Sequence, residues 1–202
     1  DLPETGPEGV SVQGKSIMAF KSHTGKLNLV KSPWSLWADF YEFMQPRGDE
    51  LWITNGRINE IWESGFDDYE RRPYTQQRWP MNFVEIHPDD AAERGIESGD
   101  LVAIGSTRVP VQTDFNLGVK DDDMWFSGLM KRGHIELASG QFSAVALVTP
   151  AIKRGVLFTD FLKMDAPANS VTPRVPDPIT MNYRFKTASG TVKKFGESPF
   201  KH

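Results

Sequence analysis

The sequence predicts a mainly β fold with short helices, closed as a barrel rather than laid out as a doubly wound sheet. Three observations carry this. The apolar runs are short and bounded by Gly, Pro or Asn; only one stretch has complete helix punctuation; and the connections near the end are long and rich in proline. Residues 1–26 carry Pro, Gly, Ser and Lys with little periodicity and read as an extended arm, leaving 27–202 as the domain proper.

Taken in order, Leu27 to Val30 reads as a strand, and Pro33 opens a short helix at Trp34. Leu51 to Thr54 is a buried strand that stops at the Asn55-Gly56 turn. Arg57 to Glu63 follows with one or two helical turns, setting Ile58, Ile61 and Trp62 on one face. Phe83 to Ile86 is a strand ended by His87-Pro88, because proline cannot continue a hydrogen-bonded ladder. Asp89 to Arg94 is a short helix with acids in its first turn, and Gly95 closes it. A turn at Ser98-Gly99-Asp100 leads to the strand Leu101 to Ile104. Further strands are expected at Arg108–Thr113, His134–Leu137, Ser143–Thr149, Val156–Phe158 and Thr191–Lys194, with a loop over Pro167–Pro178.

Composition narrows the function. The 202 residues suffice for one domain with a real core, at 39% hydrophobic and 25% charged. A formal charge of -4 argues against general nucleic-acid binding, which draws its affinity from a basic surface. The chain has no cysteine, so it holds no disulfide, thiolate metal site, iron–sulfur cluster or cysteine nucleophile of its own. No apolar run approaches the roughly 18 residues of a membrane-spanning helix. The sequence starts Asp1-Leu2-Pro3, which suggests a processed product or a segment of a longer polypeptide. Leu2-Pro3-Glu4-Thr5-Gly6 spells a sortase signal at the wrong end of a chain, and Arg71-Arg72 is not an export signal because no apolar segment follows.

The densest set of ligand-type residues runs from Thr54 to Gly65. Thr54, Asn55, Gly56 and Arg57 place a hydroxyl, an amide, bare backbone N–H groups and a guanidinium at one strand end. Trp62 can stack on a flat ring, and Ser64-Gly65 adds a second hydroxyl with open backbone. Such a set suits a diphosphate joined to ring systems. The same residues also read as an Asn-Gly turn with a solvated arginine and a core tryptophan, and spacing alone leaves the two readings open. Asn169 to Pro173 forms a polar loop with no evident packing role, while Tyr183 to Lys186 reads by itself as an amphipathic edge strand. His87 is better placed to satisfy a backbone group at its strand end than to bind metal, and His23, His134 and His202 are scattered. Asp121 to Asp123 reads as a solvated loop tip. No nucleophile elbow, phosphate-binding P-loop or dinucleotide glycine loop is present, so no catalytic set is visible.

In order, these segments resemble the molybdopterin-dinucleotide-binding domain that closes the large subunit of the dimethyl-sulfoxide-reductase superfamily. The resemblance rests on Leu51–Asp68; on Asn82–Ala91 together with Gly95–Val102; on Asn169; and on Tyr183–Lys186. The run Asn55 to Trp62 looks like the arsenite-oxidase group and its related iodate reductases. One departure is Asn55 where many relatives have threonine before Gly-Arg, which leaves open the residue that meets the phosphate.

The resemblance implies a six-stranded double-psi β-barrel, a bis-molybdopterin guanine dinucleotide with molybdenum, and an iron–sulfur cluster elsewhere in the full subunit. It implies cofactor contacts from Thr54, Asn55, Gly56, Arg57, Trp62, Ser64 and Gly65, with Asn82, Asn169, Tyr183 and Lys186 adding polar contacts. It further implies a periplasmic enzyme with a Rieske-type small subunit, in which this segment fixes the cofactor and residues outside it meet a small oxoanion substrate. Arsenite oxidation is the expected reaction, reduction of iodate or another oxoanion the alternative. A reading of another class is a free-standing double-psi barrel used for protein interaction, which would leave the Asn55–Gly65 cluster idle.

Overall fold

Alternation of buried and exposed residues closes the sheet. In a computed structural model, which describes residues 37–58, 71–114, 126–160, 167–177, 181–199 and 201, six strands form one closed barrel. The strands are β1 (Leu51–Asn55), β2 (Phe83–Ile86), β3 (Asp100–Gln112), β4 (Ile135–Val148), β5 (Val156–Thr159) and β6 (Ala188–Glu197). Their order around the barrel is β1-β5-β2-β4-β3-β6. The pairs β1–β5 and β2–β4 are parallel and the others antiparallel. Parallel partners cannot be joined by a tight turn, so the chain crosses the barrel between them, as a double-psi arrangement requires. A two-residue side-chain period sends Leu51 and Ile53, Val84 and Ile86, Val102 and Ile104, and Ala144 and Ala146 into one core with Phe142, Leu157 and Val192.

Four of the expected strands are halves of two longer ones. Leu101–Ile104 and Arg108–Thr113 belong to the single strand β3, which carries an irregularity between Ser106 and Val109. His134–Leu137 and Ser143–Thr149 likewise belong to β4. Gly105 and Gly140 resemble breaks in the sequence but pair inside the ladder, with Gln141 and Ser106 respectively. The absence of a side chain at Gly140 has a purpose of its own: a Cβ there would lie 1.9 Å from the Ser170 carbonyl oxygen.

The α-helices named among the described residues are short: α1 (Ala38–Met44), α2 (Pro73–Arg78), α3 (Pro88–Ala92) and α4 (Phe126–Lys131). Helix α3 matches its expected punctuation, with His87 as the N-cap accepting the Asp89 N–H at Nδ1, 3.2 Å away, and Gly95 at φ 62 beyond its end. The segment 167–177 departs from expectation. Ala168–Val171 is a 3-10 turn whose Ala168 and Val171 are buried in the barrel core, so this loop does pack. Tyr183 to Lys186 is not an edge strand, since only Tyr183 makes an isolated bridge, to Pro176. A second apolar cluster of Phe40, Met44, Phe126, Ile135 and Val175 joins α1 and α4 to the barrel wall. The expected arm, the Leu27–Val30 strand and the helix opening at Trp34 lie outside the described residues.

Candidate functional site

Register brings the polar strand ends together. Asn55, the last residue of β1, pairs with Thr159 at the end of the parallel strand β5. Thr159 in turn pairs with Val84 of antiparallel β2, so Asn82, two residues earlier, comes to the same end of the barrel. The Thr159 hydroxyl donates to the Phe83 carbonyl at 2.8 Å, which ties that end shut.

Asn55 is the centre of the arrangement. Its side chain is buried, and its Nδ2 donates to Phe185 O at 2.9 Å and to Asn169 Oδ1 at 3.3 Å. Lys186 Nζ donates to the Asn55 carbonyl at 2.8 Å. Residues 114 and 131 positions downstream are thus gathered onto one strand end. Asn55 Oδ1 remains buried with no hydrogen-bond partner, a costly condition for an amide oxygen. Gly56 follows, its N–H bonded to Thr159 O at 3.0 Å. A Cβ on Gly56 would stand 2.7 Å from the Phe158 ring, so a side chain there would require the ring to shift.

The structure sorts the expected site residues into three sets. Asn55, Gly56, Asn82, Asn169 and Lys186 gather at the barrel end. Thr54 is half-buried within β1, paired with Phe158, while Arg57 is exposed just beyond the strand. Tyr183 is exposed and reaches its neighbours through the bridge to Pro176. Trp62, Ser64 and Gly65 lie outside the described residues.

Three participants escape sequence reasoning: Thr159, Asp160 and the Phe185 carbonyl. The first two left a signal, because Val156–Asp160 repeats the form of Leu51–Asn55, an apolar run ending in a threonine and a second polar residue. Both Thr159 and Asp160 are fully buried. The Phe185 carbonyl left none, since a backbone acceptor has no residue type. Beside Asn82, a recess of about 270 Å³ is lined by Trp79, Pro80, Met81, Phe83 and Val145 with Gln77 and Arg78. Among the described residues no cluster of three or more His, Asp or Glu could hold a metal ion.

Neutral amides, bare backbone and a lysine suit an anionic, polar ligand. Residues 51–123 match the family described as molydopterin dinucleotide binding domain. The chain is 49% identical over 199 residues to the iodate reductase subunit IdrA of Denitromonas iodatirespirans, covering 96% of this chain and 22% of that protein. It is 47% identical, with the same coverage, to IdrA of Pseudomonas sp. (strain SCT). The chain belongs to the molybdopterin-dinucleotide-binding domains of the dimethyl-sulfoxide-reductase superfamily. Arsenite oxidase subunit AioA of Herminiimonas arsenicoxydans is 29% identical over 85 residues, covering 42% of this chain and 10% of that subunit.

The domain spans about a fifth of the length of the iodate reductase subunits it matches. The matched residues 51–123 are those of a cofactor-binding domain. An orphaned amide oxygen, a glycine with no room for a side chain and an ammonium at one barrel end are the donor and acceptor set such a group needs.

Proposed function

We propose that this domain grips a bis-molybdopterin guanine dinucleotide within the large subunit of an iodate-reductase-type enzyme. The buried Asn55 carries the reading. It uses its N–H groups to hold Asn169 and the Phe185 carbonyl, and keeps its oxygen free for a ligand donor. Gly56 and Arg57 supply open backbone and positive charge for a diphosphate, and the Lys186 ammonium adds a second positive charge at the same barrel end. Thr54, Trp62, Ser64, Gly65, Asn82 and Tyr183 complete the proposed contact set, in which Asn82 is buried by the site and Tyr183 is exposed. When bound, the molybdenum group supplies two-electron chemistry suited to moving an oxygen atom to or from a small oxoanion.

Iodate reduction is preferred over arsenite oxidation. The iodate reductase subunits match at higher identity and over more than twice as much of this chain. Since the chain has no cysteine, the proposed iron–sulfur cluster is ligated elsewhere in the subunit. A Rieske-type small subunit and a periplasmic location complete the proposal.

The test is a steady-state assay of the complete enzyme with both substrates. Iodate-dependent oxidation of a reduced dye should exceed arsenite-dependent reduction of an oxidised one. The reverse order would return the assignment to arsenite oxidase. Pterin and guanine nucleotide absent from the extracted enzyme would reject the cofactor grip itself.

A further inference from the structure

Arg184 is placed badly for stability and well for control. Its guanidinium carbon lies 4.4 Å from the Phe40 ring centroid and 4.8 Å from that of Trp37, seated against the start of α1. Its Nε and Nη1 are buried without a hydrogen-bond partner. Burial lowers its pKa from the ordinary arginine value, against the opposing pull of Asp177 and Asp39. Guanidinium N–H groups hidden from water without acceptors cost free energy, and an apolar chain of similar length would fill the seat without that cost. The charge therefore serves something other than packing.

Its neighbours show what. Phe185 gives its carbonyl to Asn55 Nδ2 at 2.9 Å, and Lys186 gives its ammonium to the Asn55 carbonyl at 2.8 Å. Tyr183, Phe185 and Lys186 are all exposed, so Arg184 is the residue of this run that turns inward. The backbone here is held lightly, by bonds of 3.4 Å from Arg184 N to Val175 O and from Thr187 N to Arg184 O. Helix α1 is firmly seated by contrast. The Asp39 carboxylate accepts the Ser127 N–H at 2.8 Å, and Phe40 meets Phe126 edge-on at 5.2 Å.

We infer that Arg184 is a positioning residue, whose cation–π seat on Trp37 and Phe40 sets the reach of the Phe185 carbonyl and Lys186 to Asn55 and thereby the geometry of the cofactor grip. This rests on the proposed grip. Arg184 acts through Lys186 and Asn55, since its guanidinium is turned onto the Trp37 and Phe40 rings.

The test uses the complete large subunit carrying Arg184→Met, Arg184→Lys, Lys186→Met, or Arg184→Met with Lys186→Met. Loss of molybdenum and guanine nucleotide during dialysis is measured together with hydrogen exchange of the 184–187 amides. Lys186→Met should speed cofactor loss about tenfold or more, the worth of one charge-assisted contact. Arg184→Met should give a similar loss and faster exchange at 184–187, and Arg184→Lys should recover part of both. The double variant should lose cofactor no faster than Lys186→Met alone, because both changes break one linkage. Losses that multiply in the double variant would overturn the inference. So would wild-type retention in Arg184→Met when Lys186→Met is impaired. Wild-type retention in Lys186→Met would overturn the grip and the inference together. If Arg184→Met does not fold, Arg184→Lys decides alone: wild-type retention with wild-type exchange overturns the inference, and intermediate values support it.

Discussion

Asp100 shows how much one buried carboxylate can hold. It opens β3 fully buried, and accepts hydrogen bonds from Lys201 Nζ at 2.7 Å and the Glu97 N–H at 2.8 Å, with Lys194 Nζ at 2.9 Å. Burial alone would raise its pKa, but these donors outweigh it and hold the carboxyl at about 2. Because the folded value lies below the unfolded one, near 3.9, the stabilisation is complete above about pH 4. It is lost as pH falls from there toward 2. Urea denaturation across pH should show this as an acid limb between about pH 4 and 2. Asp100→Asn should be less stable than wild type at pH 7, with a shallower limb over that window. Equal slopes in the two proteins would contradict the assignment.

At the scale of elements, the contact between β4 and the 3-10 turn determines where Asn169 stands. Gly140 lets the Ser170 carbonyl come closer than any Cβ would allow, and the Ser170 hydroxyl also donates to Gln141 O at 3.0 Å. Gly140→Ala must therefore push the turn outward, since the clashing atom is backbone and cannot rotate away. Overpacking of this kind costs about 1–3 kcal/mol. Chemical denaturation should show that loss, and the bond from Asn55 to Asn169 should weaken with it, seen as faster cofactor release from the complete enzyme. Unchanged stability would mean that the approach is looser than described. The sequence signalled Gly140 only as a break, because its value lies in a neighbour about thirty positions away.

For the whole molecule, Arg108 joins the helical side to the barrel. It donates to Phe43 O at 2.7 Å, Gln45 O at 2.9 Å, Ser189 Oγ at 2.8 Å and Glu50 Oε2 at 2.7 Å. Its guanidinium also lies 5.5 Å from the Phe43 ring centroid. Burial of Glu50 would raise its pKa, but Arg108 and the Arg47 N–H pull it below the ordinary value, so the carboxylate stays charged. The pair is partly buried, and removing the guanidinium leaves the Glu50 carboxylate and two backbone carbonyls without their donor, at about 1.5–3 kcal/mol. Arg108→Ala should lose stability in that range in urea denaturation. Arg108→Lys should recover only part, because one ammonium cannot serve several acceptors in different directions. A loss under about 1 kcal/mol would show that the pair is solvated as surface pairs are.

The sequence by itself determined the local structure: the β1, β2 and β5 strands, the end of β1 at Asn55 and the helix after His87-Pro88. Each depends on residues within a few positions of one another, where side-chain period, proline and glycine act directly on the backbone. Only the tertiary structure decided that β3 and β4 run unbroken through their glycines, and that the 167–177 segment packs into the core. It also decided that Asn55 is held by Asn169, the Phe185 carbonyl and Lys186. Barrel closure brings parallel strands side by side without a local connection, so the partners at a strand end come from distant parts of the chain. Residue type announces a hydrogen-bonding group; the register of the closed sheet chooses its partner.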